Sequence, residues 1–364
     1  MKYISNYIFK SKAGCTNFAQ IDYFCNMKSV TLSDIAAKCG CSVTTVSRVI
    51  NGQAGRYRIA RQTVERVMAE VTACGYIPPF TVQSLRHGGS GIIGLLLPSI
   101  ANPYFADMAG SIIPDLYKSG YTTLLMDTME DAARLNEAAR NLLLRRVEGI
   151  IAVPCGDDPE ILEQIAKDVP VVLIDRYYEN SDLPYVTTNN FKGGYDAARI
   201  LIAAGHERIT CIQGERDSMP NKERVKGYLK AMEEAGFSEY ARVAGNEFSV
   251  QNGYLETKVL MSGAQAPTAI FALSNTILLG SLHALRESQK EVPDDVSLVS
   301  FDDNMYMDYL TPSITRIGQP VDNMAKLAVK ILCDKLMQQD TKAGNSQIRL
   351  TPSIIPGNSV AGIR

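Results

Sequence analysis

The sequence contains no uninterrupted run of about 18 apolar residues, the length that a helix needs to cross a membrane. Residues 1–26 also lack the continuous apolar stretch of a secretory signal peptide, and they show neither helical nor strand periodicity. We therefore expect a cytoplasmic protein without a membrane partner. Residues 1–27 are interpreted as a leader that is either disordered or the product of a start codon assigned too far upstream.

Groups that bind metals or perform catalysis are equally scarce. The three histidines lie far apart, and the eight cysteines are scattered, with Cys39 and Cys41 as the only close pair. A C-x-C pair without a second pair or a histidine at zinc spacing is weak evidence for a metal, so free thiols are expected. No G-x-S-x-G motif occurs, and the glycines of residues 88–91 precede a predicted strand instead of following one. We expect no metal, no cofactor and no enzymatic activity.

The composition is that of a folded protein, but the charge is unevenly distributed. The 364 residues are 46% hydrophobic and 21% charged, with a net charge of −2. Residues 28–86 contain eight Lys/Arg against three Asp/Glu, which makes this segment basic while the remainder of the chain is acidic. A basic head on an acidic body predicts that the head alone approaches a polyanion.

The stretch TLSDIAAKCGCSVTTVSRVIN, residues 31–51, has the pattern of two short helices joined by a turn. Apolar residues in its first half recur at i, i+3, i+4 and i+7: Leu32, Ile35, Ala36 and Cys39. Gly40 permits the positive φ of a tight turn, and Ser42 is a suitable N-cap for the second helix. These features predict a helical pair with a glycine-containing turn.

The second helix has two chemically different faces. Its apolar face consists of Val46, Val49 and Ile50. The opposite face carries hydroxyl, guanidinium and amide groups at helical spacing: Thr44, Ser47, Arg48 and Asn51. Such side chains can hydrogen-bond to base edges and phosphates, so the pattern predicts a helix-turn-helix. From the pattern alone, an ordinary helical hairpin on a protein surface is the alternative.

A third helix and a short tether are predicted next. The third helix has an apolar face of Val64, Val67, Met68 and Val71 and ends at Gly75. The two prolines of residues 76–79 force the chain out of helical geometry. Residues 80–87 then form one or two helical turns, which are too short to be stable alone in water. This piece is either a helix that folds on a partner or a plain tether.

From Gly91 onward, short apolar strands alternate with helices of 10–15 residues, and the alternation occurs in two runs. The first run extends from Ile92 to Ile174 and the second from about residue 190 to Phe301. Such alternation is typical of parallel sheets covered by helices on both faces, and two runs predict two lobes. Val321–Met337 is predicted as a late helix.

Polar and aromatic residues follow several predicted strands. These are Asn102 to Phe105, Asp127, Asp175 and Arg176, Ser274 and Asn275, and Asp302 and Asp303. Ligands of open parallel sheets bind beyond the carboxyl ends of the strands, where such residues converge. Carboxylates that accept hydroxyl groups, an arginine that donates to them and an aromatic face suit a sugar. Loop polarity or N-capping is the alternative for each residue taken singly.

The segment VTLSDIAAKCGCSVTTVSRVING resembles the N-terminal signature of the lactose repressor (LacI/GalR) family of bacterial transcription regulators. That signature usually reads V-T-I-x-D-[IV]-A-x-x-A-G-V-S-x-x-T-V-S-R-V-[IL]-N, and Cys39 and Cys41 replace its usual Ala and Val. The rest of the chain from Met27 onward follows the same plan. The resemblance implies an α/β fold with an N-terminal all-α helix-turn-helix head, a hinge helix and a two-lobed core like that of periplasmic binding proteins.

The resemblance also implies domain limits. Residues 28–79 would form the DNA-binding head, 80–90 the hinge and linker, and 91–364 the effector-binding and dimerisation core. Within the core, the first lobe would comprise about 91–188 plus about 320–345. The second lobe would comprise about 189–318 plus the C-terminal segment.

Candidate site residues follow from the family motifs. Val43 and Thr44 would read bases with the help of Arg48, Thr45 and Ser47 would hold phosphates, and Leu85 would wedge into the minor groove. Thr31, Asn51 and Tyr76 complete the predicted DNA contacts. Arg224 would reach the effector, with Asp302 as its acidic partner. The other expected effector contacts are Tyr104, Phe105, Asp175, Phe248, Ser274 and Gln319.

Together these features predict a homodimeric regulator, most simply a repressor of carbohydrate-utilisation genes, that binds a near-palindromic operator on double-stranded DNA. Ser218 and Pro220 occupy positions where purine-binding members of the family have an Arg and a Thr, which favours a small sugar or sugar derivative as effector. The absence of a leucine-heptad tail favours a dimer over a tetramer. A sugar-binding or sensor protein that does not bind DNA is the main alternative, and a carbohydrate-processing enzyme is a more distant one.

Overall fold

The protein was analysed as a computed structural model, which describes residues 30–76, 89–337 and 346–363. The chain divides into two compact units, with the division between Gly89 and Ser90. The leader predicted for residues 1–27 and the hinge helix predicted within 80–90, including Leu85, lie largely or wholly outside the described residues. Among the described residues, no helix is both long and apolar enough to cross a membrane.

The described residues of the first unit, 30–76 and 89, contain three helices: α1, Leu32–Cys39; α2, Val43–Ile50; and α3, Arg61–Ala73. Gly40 ends α1 with φ +58°, as the predicted tight turn requires, and the Oγ of Ser42 accepts a hydrogen bond from the backbone N–H of Thr45. The core consists of the apolar faces of the three helices: Ile35, Ala36, Cys39, Val46, Val49, Ile50 and Val67.

Fewer residues of α3 are buried against the core of the head than its sequence predicts. Val67 is fully buried, and Val64 and Val71 pack partly against the same core. Met68, which was expected on the buried face, is 45% exposed. The first two helices of the head cover only the stripe at 64, 67 and 71, and Met68 lies about 100° around the helix from Val67.

The second unit begins with a run of eight elements. They are β1, Ile92–Leu97; α4, Pro103–Lys118; β2, Thr122–Asp127; α5, Ala132–Leu144; β3, Gly149–Ala152; α6, Glu160–Ile165; β4, Val171–Ile174; and β5, Tyr185–Thr188. The middle run contains α7, Asn190–Ala203; β6, Ile209–Ile212; α8, Met219–Glu234; β7, Arg242–Ala244; α9, Val250–Ser262; β8, Ala269–Ala272; α10, Asn275–Glu287; β9, Ser297–Phe301; and β10, Thr315–Gly318. The last elements are α11, Val321–Leu336; β11, Gln347–Leu350; and β12, Ser353–Ile355.

These elements form two six-stranded sheets, and each sheet is the centre of one lobe. The first sheet has the order β11-β5-β4-β3-β1-β2, with all pairs parallel. The second has the order β12-β10-β9-β8-β6-β7, in which only the pair of β10 and β12 is antiparallel. The central strands are buried along their whole length, so their apolar runs do not alternate with polar residues.

Each sheet is covered by helices on both faces. In the first lobe, α4 and α11 form one buried cluster with the strands, and α5 and α6 form a second cluster. In the second lobe, α7 and α8 contribute to one continuous core with the sheet and α10. The fold class expected from the sequence is confirmed: a three-helix head and a two-lobed α/β core.

The C-terminal segment differs from the sequence expectation, which placed it with the second lobe. The strand β11 pairs in parallel with β5 along the edge of the first sheet, from Gln347 opposite Tyr185 to Leu350 opposite Thr188. Only β12 and the residues after it join the second lobe. Pairing with β11 satisfies the backbone groups at the edge of β5, which would otherwise remain open.

Glycines allow neighbouring helices of the second lobe to approach closely. A Cβ atom at Gly194 in α7 would overlap the carbonyl oxygen of Arg224 in α8, and one at Gly227 would overlap the carbonyl oxygen of Phe191. The helix α8 therefore lies against α7 at backbone contact distance. This packing fixes the position of Arg224, whose side chain lies among the predicted effector-binding residues.

We predict that Gly194→Ala lowers the free energy of unfolding by about 1–3 kcal/mol, because the added methyl group meets rigid backbone. Urea unfolding followed by circular dichroism measures the change. The matched control is Gly110→Ala in α4, where an added Cβ meets nothing within 4 Å. There the loss of glycine should stabilise the helix by about 0.5–1 kcal/mol. Equal unfolding midpoints for the two variants would contradict the proposed packing.

Candidate functional site

One cavity between the two lobes brings the predicted effector residues together. All eight of them line it: Tyr104, Phe105, Asp175, Arg224, Phe248, Ser274, Asp302 and Gln319. Four further residues complete the lining and were not among the predicted contacts: Asn102, Arg176, Ser218 and Pro220. We call this space the inner cavity. It measures about 20 Å³ in this structure, which is room for about one water molecule.

Two aspartates occupy corresponding positions in the two lobes. Asp175 directly follows β4 in the first lobe, and Asp302 directly follows β9 in the second. Each is only 3% exposed. Their backbones have φ +65° and φ +74°, the left-handed conformation that residues other than glycine seldom adopt. Such strain concentrates at functional sites, where it fixes the direction of a side chain.

The carboxylate of Asp175 is held by an aromatic residue of its own lobe. The hydroxyl of Tyr104 donates a hydrogen bond of 2.6 Å to Oδ1 of Asp175. Burial raises the pKa of Asp175, although the nearby guanidinium of Arg224 and the bond from Tyr104 act in the opposite direction. The carboxylate lost its hydration on folding, and a ligand hydroxyl that donates to it would replace part of that hydration.

The carboxylate of Asp302 is oriented by two donors of the second lobe. Nε2 of Gln319 donates to Oδ1 at 2.8 Å, and the backbone N–H of Asn275 donates to Oδ2 at 3.1 Å. Burial raises the pKa of Asp302 as well, against the opposing effect of Arg224. The Oε1 atom of Gln319 is buried and has no hydrogen-bond partner among the described residues. It is a free acceptor in the lining of the inner cavity.

Arg224 lies in the first half of α8 and is 4% exposed. Its Nε donates to Oδ1 of Asn190 at 2.8 Å, and its Nη1 donates to the carbonyl oxygen of Leu273 at 2.7 Å. The guanidinium also lies 3.6 Å from the ring centroid of Phe301. These contacts fix the plane of the group and leave donors available for a ligand, since a guanidinium has five N–H groups.

Arg176, which the sequence analysis placed among the polar residues that follow the strands, also lines the inner cavity. Its Nη1 and Nη2 donate to the two carboxylate oxygens of Glu130 at 2.6 and 2.9 Å, a bidentate ion pair. The guanidinium lies 5.6 Å from the ring of Phe105 and 5.9 Å from that of Phe248. Its place after β4, beside Asp175, was the available signal, but the pairing with Glu130 is visible only in three dimensions.

Hydrogen bonds join the two lobes beside the inner cavity. Nδ2 of Asn275 donates to Oδ1 of Asn102 at 3.2 Å, and Nδ2 of Asn304 donates to Oδ2 of Asp107 at 2.8 Å. Asn102 also caps α4, because its Oδ1 accepts from the backbone N–H of Tyr104. The observed arrangement is therefore one in which the lobes are closed on each other.

The predicted recognition helix of the head, α2, presents the expected polar face. Val43 is 43% exposed, Thr44 is exposed, and Thr45, Ser47 and Arg48 are partly exposed. The guanidinium of Arg48 stacks 3.8 Å from the ring centroid of Tyr57, a residue that the sequence analysis did not single out. This contact holds Arg48 along the surface of the head.

The remaining predicted DNA contacts differ in their local roles. Thr31 caps α1: its hydroxyl donates to Oδ2 of Asp34 at 2.7 Å and accepts from the backbone N–H of Asp34. Nδ2 of Asn51 donates to Oγ of Ser47 at 3.3 Å. Tyr76 is partly buried against the core of the head. Leu85 lies outside the described residues.

Both units of the chain match known protein families. Residues 31–79 match the family described as "Bacterial regulatory proteins, lacI family", and residues 198–360 match a "Periplasmic binding protein-like domain". The transcriptional repressor PurR of Vibrio campbellii is 31% identical over 335 residues, which are 91% of this chain and 98% of that protein. A helix-turn-helix head followed by a two-lobed binding core defines a DNA-binding transcription regulator. The chain belongs to the lacI family of bacterial regulatory proteins.

Solved structures agree with this assignment. A lac repressor dimer bound to its operator and an anti-inducer matches 92% of this chain and 100% of its own chain, with a TM-score of 0.79. At 24% identity, that likeness is evidence for the fold alone. A LacI-family regulator from Enterococcus faecium with bound ribose matches 75% of this chain and 100% of its own, at 26% identity and a TM-score of 0.68.

We predict that Asp175→Asn leaves the fold intact and raises the melting temperature at pH 7, because the raised pKa makes the ionised side chain unfavourable in the folded state. Asparagine can still accept from Tyr104 and tolerates a positive φ. Because the pKa of Asp175 is raised in the folded state, its ionisation opposes folding as the pH rises above the ordinary range of an aspartate.

The stability difference between wild type and Asp175→Asn should therefore be small near pH 4 and widen toward pH 8. Thermal unfolding at a series of pH values measures this difference. If the variant were less stable than wild type at pH 7 and equally stable at pH 4, the stability difference would have the opposite sign. That result would show that the carboxylate stabilises the closed lobes.

Proposed function

We propose that this chain is a repressor of carbohydrate-utilisation genes whose operator binding is controlled by a small sugar held in the inner cavity. The observation that supports this proposal most directly is the group of charges where the two lobes meet. It consists of the buried carboxylates of Asp175 and Asp302 and the buried guanidinium of Arg224. Ribose in the Enterococcus faecium relative supports the same class of ligand.

The chemistry of the inner cavity suits a polyhydroxyl ligand. A carboxylate accepts hydrogen bonds from adjacent sugar hydroxyls, and a guanidinium donates to sugar oxygens. Oε1 of Gln319 is an acceptor that has no partner in the part of the chain that the structure describes. The rings of Phe105 and Phe248 offer apolar faces for the C–H groups of a sugar ring. A cavity of about 20 Å³ is far below the ~300 Å³ of typical ligand pockets. A sugar therefore enters only when the lobes separate, and it changes the balance between open and closed forms.

On the DNA side, the proposal assigns base contacts to Val43 and Thr44 with Arg48, and phosphate contacts to Thr45 and Ser47. Thr31, Asn51, Tyr76 and Leu85 are the further proposed contacts with the operator. Exposed hydroxyl, apolar and guanidinium groups on one short helix supply both phosphate and base-edge interactions. The observation that supports this assignment is the exposure of the polar face of α2 while its opposite face packs in the core of the head.

We further propose that the protein acts as a homodimer on a near-palindromic operator, in the cytoplasm. Two helices of the core expose apolar side chains at i, i+4 spacing: Ile113 and Tyr117 on α4, and Leu255 and Val259 on α9. Their exposed fractions range from 38% to 79%. Exposed apolar stripes of this kind mark surfaces that a second subunit covers.

Two other functions receive less support. A sugar sensor that does not bind DNA would have no use for the helix-turn-helix head. Catalysis would need an acid–base pair directed at a reacting bond, whereas the carboxylates of Asp175 and Asp302 are already held by donors from their own lobes. We therefore propose a regulator without enzymatic activity, in agreement with the regulatory role of its relatives.

We predict that Arg224→Ala abolishes the response to the sugar and leaves operator affinity within about twofold of wild type. The variant loses the donors that a bound sugar would require, while the head is unchanged. Fluorescence anisotropy of labelled operator, titrated with the sugar, measures both quantities. Arg216→Ala, at an exposed arginine outside the inner cavity, is the matched control and should respond as wild type does. An unaltered dose-response curve for Arg224→Ala would refute its assignment.

We predict that Arg48→Ala weakens operator binding by about tenfold or more, since a base contact made by arginine contributes ~1–3 kcal/mol. Binding to random-sequence DNA should fall much less, so the ratio of specific to non-specific affinity decreases. Arg66→Ala removes the same charge from α3, at an exposed position, and serves as the control. If the two variants lost the same affinity on both DNAs, Arg48 would contribute only general electrostatic attraction to DNA.

A further inference from the structure

The recognition helix α2 and the loop after it form a basic surface on the head. From residue 35 to residue 64 the sequence contains five Lys or Arg residues and no Asp or Glu. Two of the five are neutralised by ion pairs with glutamates of α3. The three that have no carboxylate partner in the described part of the chain are Arg48, Arg56 and Arg58. Unpaired cations of this kind are attracted to a phosphate backbone.

The loop between α2 and α3, residues 51–60, is held at both of its ends. The backbone N–H of Gln53 donates to the carbonyl oxygen of Arg48 at 2.9 Å, and that of Tyr57 donates to the carbonyl oxygen of Gln53 at 3.2 Å. Farther along the loop, Ile59 packs partly against the core of the head. Tyr57 therefore lies between a hydrogen-bonded turn at the end of α2 and an apolar contact with the core.

The ring of Tyr57 is a platform for the guanidinium of Arg48. The carbon of the guanidinium lies 3.8 Å from the ring centroid, well within the range of a cation–π contact. Arg56 lies 5.9 Å from the same centroid, at the outer limit of that range. An arginine stacked on an aromatic face keeps the N–H groups at its edge available. Those edge groups are the ones that make a bidentate contact with the O6 and N7 atoms of guanine.

The stack restricts Arg48 before DNA is bound. A free arginine side chain loses much rotational freedom when it is fixed in an interface. A side chain that is already held in place loses less, so that more of its contact energy appears as affinity. Tyr57 itself is 42% exposed and does not belong to the packed core of the head. Its ring is therefore not required to hold the three helices together.

We propose that Tyr57 is a positioning residue for operator recognition, because its ring holds Arg48 in the orientation that reads a base. The loop of residues 51–60 thereby contributes to the sequence specificity of the head. Arg56, which lies farther from the ring, contacts phosphates whatever the sequence. The inference rests on the proposed base contact of Arg48 and names the residue that makes this contact selective.

The experiment requires a duplex that the head recognises. The full-length wild-type protein is used to select one from a library of duplexes with a randomised central segment. A shuffled duplex of the same base composition is the non-specific probe. Fluorescence anisotropy measures the affinity of each variant for both duplexes at one fixed salt concentration, because affinity for DNA depends steeply on salt.

Tyr57→Ala should lower affinity for the selected duplex by about fivefold to tenfold, part of the discrimination that one bidentate base contact supplies. Affinity for the shuffled duplex should change by less than twofold, which also shows that the head remains folded. Tyr57→Phe keeps the aromatic face and should behave as wild type does. Tyr309→Ala removes a tyrosine of the core that is 80% exposed, and this control should change neither affinity.

A double variant tests whether Tyr57 acts through Arg48. In an Arg48→Ala background, Tyr57→Ala should cost less than twofold on the selected duplex, since no guanidinium remains to be positioned. Arg56→Ala should lower affinity for both duplexes by the same factor and reduce the salt dependence by about one unit of slope. Its ratio of specific to non-specific affinity should stay at the wild-type value.

The outcomes separate the inference from the proposal beneath it. Equal losses from Tyr57→Ala with and without Arg48 would mean that the ring contacts DNA by itself, and they overturn the inference. It is also overturned if Tyr57→Phe is as weak as Tyr57→Ala, or if Arg56→Ala lowers the affinity ratio as much. In each of these cases the base contact of Arg48 stands. If Arg48→Ala leaves the affinity ratio unchanged, that base contact fails and the inference fails with it.

Discussion

The core of this protein depends on charges buried where two lobes meet. Asp175 comes from the first lobe and Asp302 and Arg224 from the second, and each is almost completely removed from water. Burial of ionised groups is unfavourable unless other groups replace the lost hydration. Tyr104, Gln319 and Asn190 supply part of that replacement, and the remaining capacity is available to a ligand. The site is therefore strained and polar in its closed form, which favours a hydroxyl-rich molecule over an apolar one.

The position of this charged group results from packing farther away. Arg224 is carried by α8, and α8 is fixed against α7 through glycines that permit backbone contact. Asp175 and Asp302 stand at the carboxyl ends of β4 and β9, central strands that are hydrogen-bonded to a neighbouring strand on both sides. The three charged side chains are therefore attached to the packed interior of the two lobes, which is close-packed and does not deform locally at low cost.

Much of this architecture could be predicted from the sequence, and the failures have physical causes. The helices α1 and α2 were predicted because their caps, turn glycine and apolar spacing all agree. The helix α9 was not predicted, because its pattern is inverted: Asn252, Gly253 and Thr257 are buried, whereas Leu255 and Val259 are exposed. A periodicity argument assumes that apolar residues face inward, and a surface suited to a second subunit violates it.

The short strands β5, β7 and β10 to β12 were also missed. They contain at most two consecutive apolar residues, unlike the predicted strands β4 (VVLI) and β8 (AIFA), which are equally short. In addition, β11 and β12 are defined by partners far away in sequence. Within the site, the eight effector residues came from family motifs and strand ends and do converge on one cavity. The ion pair of Arg176 with Glu130 could not be predicted, since its partners are 46 positions apart in the sequence and lie on two separate loops.

The chain crosses between the lobes three times: between β5 and α7, between β10 and α11, and between β11 and β12. Neither lobe is consequently a continuous piece of sequence, and a protein cut at any single point contains at most one complete lobe. Three parallel crossings also restrict how the lobes move. They oppose sliding of one lobe past the other and twisting about a single connection, which favours opening by a hinge rotation. In a hinge rotation the displacement grows with distance from the axis, so a small change at Gln319, which lines the inner cavity beside one crossing, corresponds to a larger displacement far from it.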